Sequence, residues 1–315
     1  MYLIICSILL LLVIRGSYCD LFDVLNSGSD FDLNSIINAA FNGSDNGSVL
    51  IGEVTTPIEE EVTFWCSSES SDNLQQVHVN DPNIHNKIHF AKPITLITHG
   101  WLGNHSSFWM VQTASDILKY TNNSVCIVAW DHLASYVYPQ VAQQHAPLVS
   151  DYMTRFVKFL NQQGMPPESM TLVGHSIGAH VCGQVGYNLK GKIREIYGLD
   201  PAGPLFTHPT RRESSFRLDS TDAGYVQMIV TTRFILGVNY GDGHENFYPN
   251  GGTSPQKSYK LHSFQNIWQL SAFFEERHCL GCNMLHSRRG DVDKNNLTLK
   301  VDTMNVSVIK GHCRR

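Results

Sequence analysis

Between residues 94 and 199 the chain alternates two kinds of hydrophobic pattern. Short, nearly unbroken apolar runs at 94–98, 125–130, 169–173 and 193–199 read as buried strands. Between them, residues 107–120, 147–161 and 179–189 carry apolar positions at helical spacing. In the second of these, Val149, Tyr152, Met153, Phe156, Val157 and Leu160 fall on one face. Pro147 suits that helix's first turn, and the Gly164 to Pro167 turn closes it. Strands alternating with helices predict parallel βαβ units, and so a mostly parallel central sheet with helices on both faces. Right-handed crossovers would bring the strand C-terminal ends to one edge, where functional loops gather.

The pattern is different at the start of the chain. Residues 3–14 are almost wholly apolar, shorter than the roughly 18–20 residues of a membrane span. Ser17 and Cys19 follow in a small-x-small arrangement, so residues 1–19 read as a secretory signal peptide, with a signal anchor as the alternative. Residues 20–60 are rich in Asn, Ser, Gly and Asp with little period, and read as a loosely ordered arm. The folded body is expected over 61–315. Charge sharpens this division. Residues 20–86 hold twelve acidic side chains and no Lys or Arg, whereas 87–315 is slightly basic. The net charge of -5 therefore hides an acidic arm on a slightly basic body. A sequence pI near 6.3 gives no reason to expect nucleic-acid binding. The 42% hydrophobic content excludes disorder for the bulk.

Removing the signal leaves six cysteines: Cys66, Cys126, Cys182, Cys279, Cys282 and Cys313. An even number in an oxidising compartment points to disulfides, with connectivity open. Cys279 and Cys282 resemble half of a zinc site, but no second pair follows. Sequons at Asn42, Asn46, Asn104, Asn122, Asn296 and Asn305 fit passage through the secretory route.

The chemistry concentrates at strand ends. Gly174-His175-Ser176-Ile177-Gly178 is a G-x-S-x-G motif lying between an expected strand and a small-residue helix. That context is a nucleophile elbow, whose glycines relieve crowding while the serine is lifted clear. The helix N-terminus behind it offers N–H groups and positive potential to an oxyanion. His99-Gly100-Trp101-Leu102-Gly103 follows the strand ending at Thr98 and can aim a backbone N–H at the same place. The expected oxyanion hole is the N–H of Trp101 with that of Ile177. Asp200 ends the strand one βα unit after Ser176, where a carboxylate can orient an imidazole and stabilise its charged form. Asp219 and Asp222 are rival carboxylates.

Five ordered pieces together resemble the pancreatic lipase family of α/β-hydrolases. They are Ile97-Thr98-His99-Gly100-Trp101-Leu102, Gly174-His175-Ser176-Ile177-Gly178-Ala179-His180-Val181, Gly198-Leu199-Asp200-Pro201-Ala202, Arg217-Leu218-Asp219-Ser220-Thr221-Asp222-Ala223 and Gly243-His244-Glu245-Asn246-Phe247-Tyr248-Pro249-Asn250-Gly251-Gly252. The resemblance implies an α/β-hydrolase fold and a secreted enzyme that cleaves glycerolipid esters, as a triacylglycerol lipase or a phospholipase A1. Its partner would be lipid at a membrane or droplet surface. The family's triad order of Ser, Asp and His makes Ser176 and Asp200 the first two members. The resemblance also implies a calcium loop through the Arg217 carbonyl and the Asp219 and Asp222 carboxylates, hard oxygen ligands that suit calcium. Ser214 stands where the family has a Glu, with Glu213 one place off, and no cofactor is expected to be required.

The third triad member departs from the family. There, the catalytic His follows a cysteine-closed lid in a Cys-x-His-x-Arg pattern. His262 lacks both the Cys and the Arg, but it precedes an amphipathic segment at 263–277 as the family's His does. His286 keeps the Arg, at Arg288, yet its Cys282 lies four places before it. His262 is the expected base and His286 the alternative. The choice is linked to substrate. His262 leaves a very short lid, which in the family goes with phospholipase A1 activity; His286 turns the segment around Trp268 into a long lid that favours triglyceride. Two rivals stay open: a soluble small-ester esterase, and a catalytically impaired lipid-binding or storage protein on the same fold. The order of His99-Gly100, Ser176 and Asp200 argues against the second, because binding alone needs none of them.

Overall fold

A computed structural model describes residues 52–253, and the backbone alone of Leu297–Val301 and Met304–Lys310. The expected signal peptide, the sequons at Asn42, Asn46 and Asn296, and Cys279, Cys282 and Cys313 lie outside the described residues. So do His262, His286 and the amphipathic segment at 263–277.

Among the described residues, ten strands form one sheet. In chain order they are β1 Thr63–Ser67, β2 Gln75–Val77, β3 Ile94–Thr98, β4 Ser124–Ala129, β5 Met170–His175, β6 Ile193–Leu199, β7 Ala223–Ile229, β8 Glu245–Pro249, β9 Leu297–Val301 and β10 Met304–Lys310. Their order across the sheet is β2-β1-β4-β3-β5-β6-β7-β8-β10-β9. The six from β4 to β8 in that order run parallel, and antiparallel strands close both edges. The helices are α1 Ile58–Glu61, α2 Ile84–Lys87, α3 Phe108–Tyr120, α4 Asp131–Ala134, α5 Tyr138–Gln140, α6 Ala146–Gln162 and α7 Ile177–Asn188. This is the α/β-hydrolase architecture that the resemblance implied. Two of the four expected strands match residue for residue, and the other two shift by one or two positions.

Every residue of β3, β4 and β5 is buried, which is why their sequences run apolar without a break. Successive side chains still face different layers. Ile94, Leu96, Cys126 and Val128 pack toward α6 and α7, against Val149, Met153, Phe156, Val157, Leu160, Val181 and Val185. Ile97, Val125, Ile127 and Val173 pack toward α3, against Met110, Ala114 and Ile117. All six apolar positions expected on one face of α6 are buried, each contributing about 1.5–3 kcal/mol for the large aliphatic and aromatic ones. The packed body reaches back to Val54 and Ile58, and Glu61 buries its carboxylate while accepting from His132 Nδ1 at 2.7 Å.

Register settles one cysteine pair. Cys66 of β1 lies directly opposite Cys126 of β4, and the two form a disulfide across 60 residues of sequence. Cys182 is a free thiol inside α7, where burial pushes its pKa up and leaves it inert.

The chain winds from β3 to β4 toward one edge, then returns past β3 to β5 and on to the other edge. With α3 on one face and α6 and α7 on the opposite face, the winding reverses between β3 and β5. Such a reversal opens a crevice beyond the C-terminal ends of these strands. Thr98 is paired with Gly174, and His175 with Leu199, so the residues that follow β3, β5 and β6 emerge side by side.

Candidate active site

Ser176 follows β5 and caps α7, with φ 54° and ψ -121°. A non-glycine residue in that region stores strain, and here the strain reverses the chain direction within one residue. Ser176 is the one residue from Met170 through Gly186 that is not buried. The elbow's glycine requirement is visible at Gly178, where an added Cβ would lie 2.2 Å from the His99 carbonyl oxygen. The nucleophile turn and the His99-Gly100 turn are therefore in backbone contact.

Gly100 closes the same contact from the other side. A Cβ there would lie 2.7 Å from Ser176 Cβ and 3.1 Å from the Ile177 nitrogen. Ile177 opens α7, and the first N–H groups of a helix have no intrahelical acceptor. The turn itself is clamped to the chain after β4. Leu102, at φ 52°, donates its N–H to the Ala134 carbonyl at 3.0 Å, and Trp101 Nε1 donates to the Tyr136 carbonyl at 2.7 Å. The Trp101 ring meets Tyr138 edge-on at 5.3 Å.

Asp200 follows β6 at φ 46°. Its Oδ1 accepts the N–H groups of Thr231 and Thr232 at 2.8 and 3.1 Å, and its Oδ2 accepts the Thr232 hydroxyl at 2.7 Å. Burial raises its carboxyl above the usual range, while these bonds pull in the opposite direction. The two threonines carry no signal in the sequence, because they sit 31 and 32 positions away and no motif marks them. His180 was also invisible as an organiser. From inside α7 its Nε2 donates to the Ala202 carbonyl at 2.7 Å, and its Nδ1 accepts the Leu218 N–H at 3.0 Å. Its ring stacks on Phe206 at 3.9 Å. One neutral imidazole thus ties the segments after β6 and before β7 to the helix that carries Ser176.

The sequence model of the lipase family matches residues 41–290. The chain belongs to the lipase family. Lipase member H of Xenopus tropicalis is 34% identical to it over 180 residues, 57% of this chain and 38% of that protein. Pancreatic lipase-related protein 2 of Myocastor coypus is 31% identical over 201 residues, 59% of this chain and 41% of that protein. Phospholipase A1 member A of Mus musculus is 35% identical over 159 residues, 50% of this chain and 34% of that protein. The chain thus spans less than half the length of each of these relatives.

In this lipase-family chain the Arg217 and Asp219 side chains belong to an ion-pair network. Arg217 holds Asp219 Oδ2 at 3.1 Å and Asp242 Oδ2 at 2.5 Å, and Arg211 also pairs with Asp242. Asp219 Oδ1 accepts the N–H and hydroxyl of Thr221. Asp222 accepts the Asp219 N–H at 2.7 Å through Oδ2, and its buried Oδ1 has no hydrogen-bond partner. Burial pushes Asp222 up to about 8, so it can rest as a neutral carboxyl. Among the described residues no group of three or more His, Cys, Asp or Glu side chains is arranged to hold a metal.

Proposed function

We propose that this chain is a serine hydrolase that cleaves carboxylic esters of glycerolipids, of the triacylglycerol lipase or phospholipase A1 type. The observation that carries the reading is Ser176 itself: accessible, held at φ 54° between β5 and α7, with Gly100 against its Cβ. Ser176 Oγ attacks the acyl carbonyl carbon while His262, or His286 in its place, takes the hydroxyl proton. The N–H groups of Trp101 and Ile177 stabilise the tetrahedral oxyanion. The same His then gives the proton to the departing alkoxide, leaving the acyl group on Ser176. Water repeats the sequence and frees the fatty acid. Asp200 orients the His and stabilises its charged form, and an imidazolium beside Asp200 would draw the raised carboxyl back down.

Lipid contact is supported by α3, which follows the oxyanion turn and leaves Phe108 70% exposed and Val111 36% exposed. The partner is then lipid at a membrane or droplet surface. Calcium is not required by this reading, and no step passes through a metal. The expected signal peptide and the sequons support a secreted, extracellular protein.

The test is to treat the secreted protein with a serine-reactive phosphonate and then assay sn-1 phospholipid and triglyceride hydrolysis. The parent, Ser176→Ala, His262→Ala and His286→Ala are compared. Labelling and turnover in the parent, both absent from Ser176→Ala, are expected. Neither labelling nor turnover in the parent would leave the lipid-binding or storage reading. Full activity in His262→Ala would move the base to His286.

A further inference from the structure

Behind the oxyanion turn lies a side-chain cluster that the chemistry above does not use. His99 is buried, and its ring stacks on Trp130 at 4.9 Å. Its Nδ1 lies 2.9 Å from the Gly100 carbonyl oxygen, while its Nε2 lies 2.9 Å from Asp131 Oδ1 and accepts the Trp130 N–H at 3.3 Å. The Gly100 oxygen is an acceptor only, so the Nδ1 contact is a bond that the ring donates. Asp131 is held in turn by His105, whose Nδ1 lies 2.6 Å from Oδ2 and whose backbone N–H donates to Oδ1 at 3.0 Å. Burial opposes a charge on Asp131. The hydrogen bonds and charge of His99, and then of His105, outweigh burial and hold the carboxyl at about 2. Gly103 lets the turn curl over the ring, since a Cβ there would lie 2.6 Å from His99 Nδ1.

The carbonyl that His99 grips belongs to the peptide joining Gly100 to Trp101. In a trans peptide the C=O and N–H point in opposite directions within one plane. The Gly100 oxygen also accepts the Gly103 N–H at 3.0 Å, so two donors hold that carbonyl, and the Trp101 N–H of the same peptide is turned away from both. A carbonyl that accepts a hydrogen bond also makes the N–H of its own peptide a stronger donor.

We propose that His99, Asp131 and His105 form a bracket that sets and polarises the Gly100–Trp101 peptide, making His99 and Asp131 positioning residues for the oxyanion hole. The inference rests on Ser176 being the nucleophile. Asp131 and the Trp130 N–H fix the far edge of the His99 ring, and the half-exposed His105 keeps Asp131 from turning to water. None of the three touches substrate, so their effect falls on the transition state and not on substrate binding.

The test measures kcat and KM on a dissolved p-nitrophenyl ester, per active site titrated with phosphonate, for the full chain. Parent, Ser176→Ala, Asp131→Asn and His105→Asn are compared, with thermal melts of each. Asp131→Asn keeps an acceptor but loses the charge, and kcat is expected to fall about 10–100-fold with KM within about 2-fold. His105→Asn alters a half-exposed side chain and is expected to fold even if Asp131→Asn does not; its kcat should fall about 2–10-fold, again at constant KM. Parental kcat per titrated site in His105→Asn or Asp131→Asn would overturn the bracket. So would a loss that tracks only the melting temperature, which is what a merely structural role predicts. If the parent neither labels nor turns over, the hydrolase reading has failed and the bracket falls with it. Activity in the parent with no change in the bracket variants overturns the bracket alone.

Discussion

Replacing His180 by glutamine is expected to weaken the protein at neutral pH and, at the same time, to make it less sensitive to acid. In the fold, burial and then the nearby Arg217 charge hold the His180 imidazole at about 3, against the pull of the Ala202 carbonyl. Its ordinary value is 6.5. The folded state thus binds this proton more weakly than the unfolded state does. The stability linked to His180 is intact above pH 6.5 and is lost progressively as pH falls toward 3. At pH 5 the gap from the unfolded value is about 1.5 units, or about 2 kcal/mol. The variant has no such group, so it escapes that loss. Urea unfolding of parent and His180→Gln at pH 7.5 and pH 5 isolates it. His175, held at about 4 mainly by burial, and Asp222, pushed up to about 8, titrate in both proteins and cancel in the difference. The variant's deficit at pH 7.5 should shrink by about 2 kcal/mol at pH 5. A deficit constant to within about 0.5 kcal/mol would refute the claim that a neutral imidazole bridges Ala202 and Leu218.

Three further outcomes are expected. Thr232→Val removes the 2.7 Å hydroxyl bond to Asp200 Oδ2, so kcat for ester hydrolysis should fall about 10-fold or more with little change in KM; steady-state kinetics at the parental rate would count against Asp200 as the orienting carboxylate. Gly178→Ala puts a methyl 2.2 Å from the His99 carbonyl oxygen, so the soluble yield or the melting temperature should collapse, and a parental melt would mean that the two turns are not in contact. Replacing Cys66 and Cys126 together by serine opens a closure of 60 residues and should cost about 4 kcal/mol in urea unfolding. A change under about 1 kcal/mol would show that the unfolded chain gains little freedom from losing the bridge.

Three of the four strands legible in the sequence, β3, β4 and β5, are buried at every position and so run apolar. The fourth, β6, is legible from its last four buried residues despite the partly exposed Arg194 and Glu195. β1 alternates partly exposed Thr63 and Trp65 with buried Phe64 and Cys66 over five residues, too short for period two to stand out. In β7 an exposed Gly224 and a partly exposed Gln227 break the run. The Cys66–Cys126 bridge depended on the register of one such unread strand, so spacing alone had left it open. The chemistry divides in the same way. A sharp turn admits few residue types, so Gly174, Ser176 and Gly178 leave a local pattern. Thr232 and Asp131 act across 32 positions each, on Asp200 and His99 respectively, and no local pattern records such contacts.

One misplaced boundary shows how the site is built. Apolar spacing starts the helix after the elbow at Ala179, yet α7 begins at Ile177. Helical periodicity needs several turns to register, whereas Ser176 at φ 54° turns the chain from strand to helix in a single residue. Those two extra residues matter chemically. They put the Ile177 N–H at the N-terminus of the helix instead of in a loop, where the helix's positive end adds to it. Gly100, packed within reach of the same nitrogen, brings the second turn to the same point. The oxyanion donors expected at Trp101 and Ile177 therefore depend on two independent backbone devices, a strained serine and a carbonyl gripped by His99. Disturbing either device is expected to lower turnover without first unfolding the sheet that carries both.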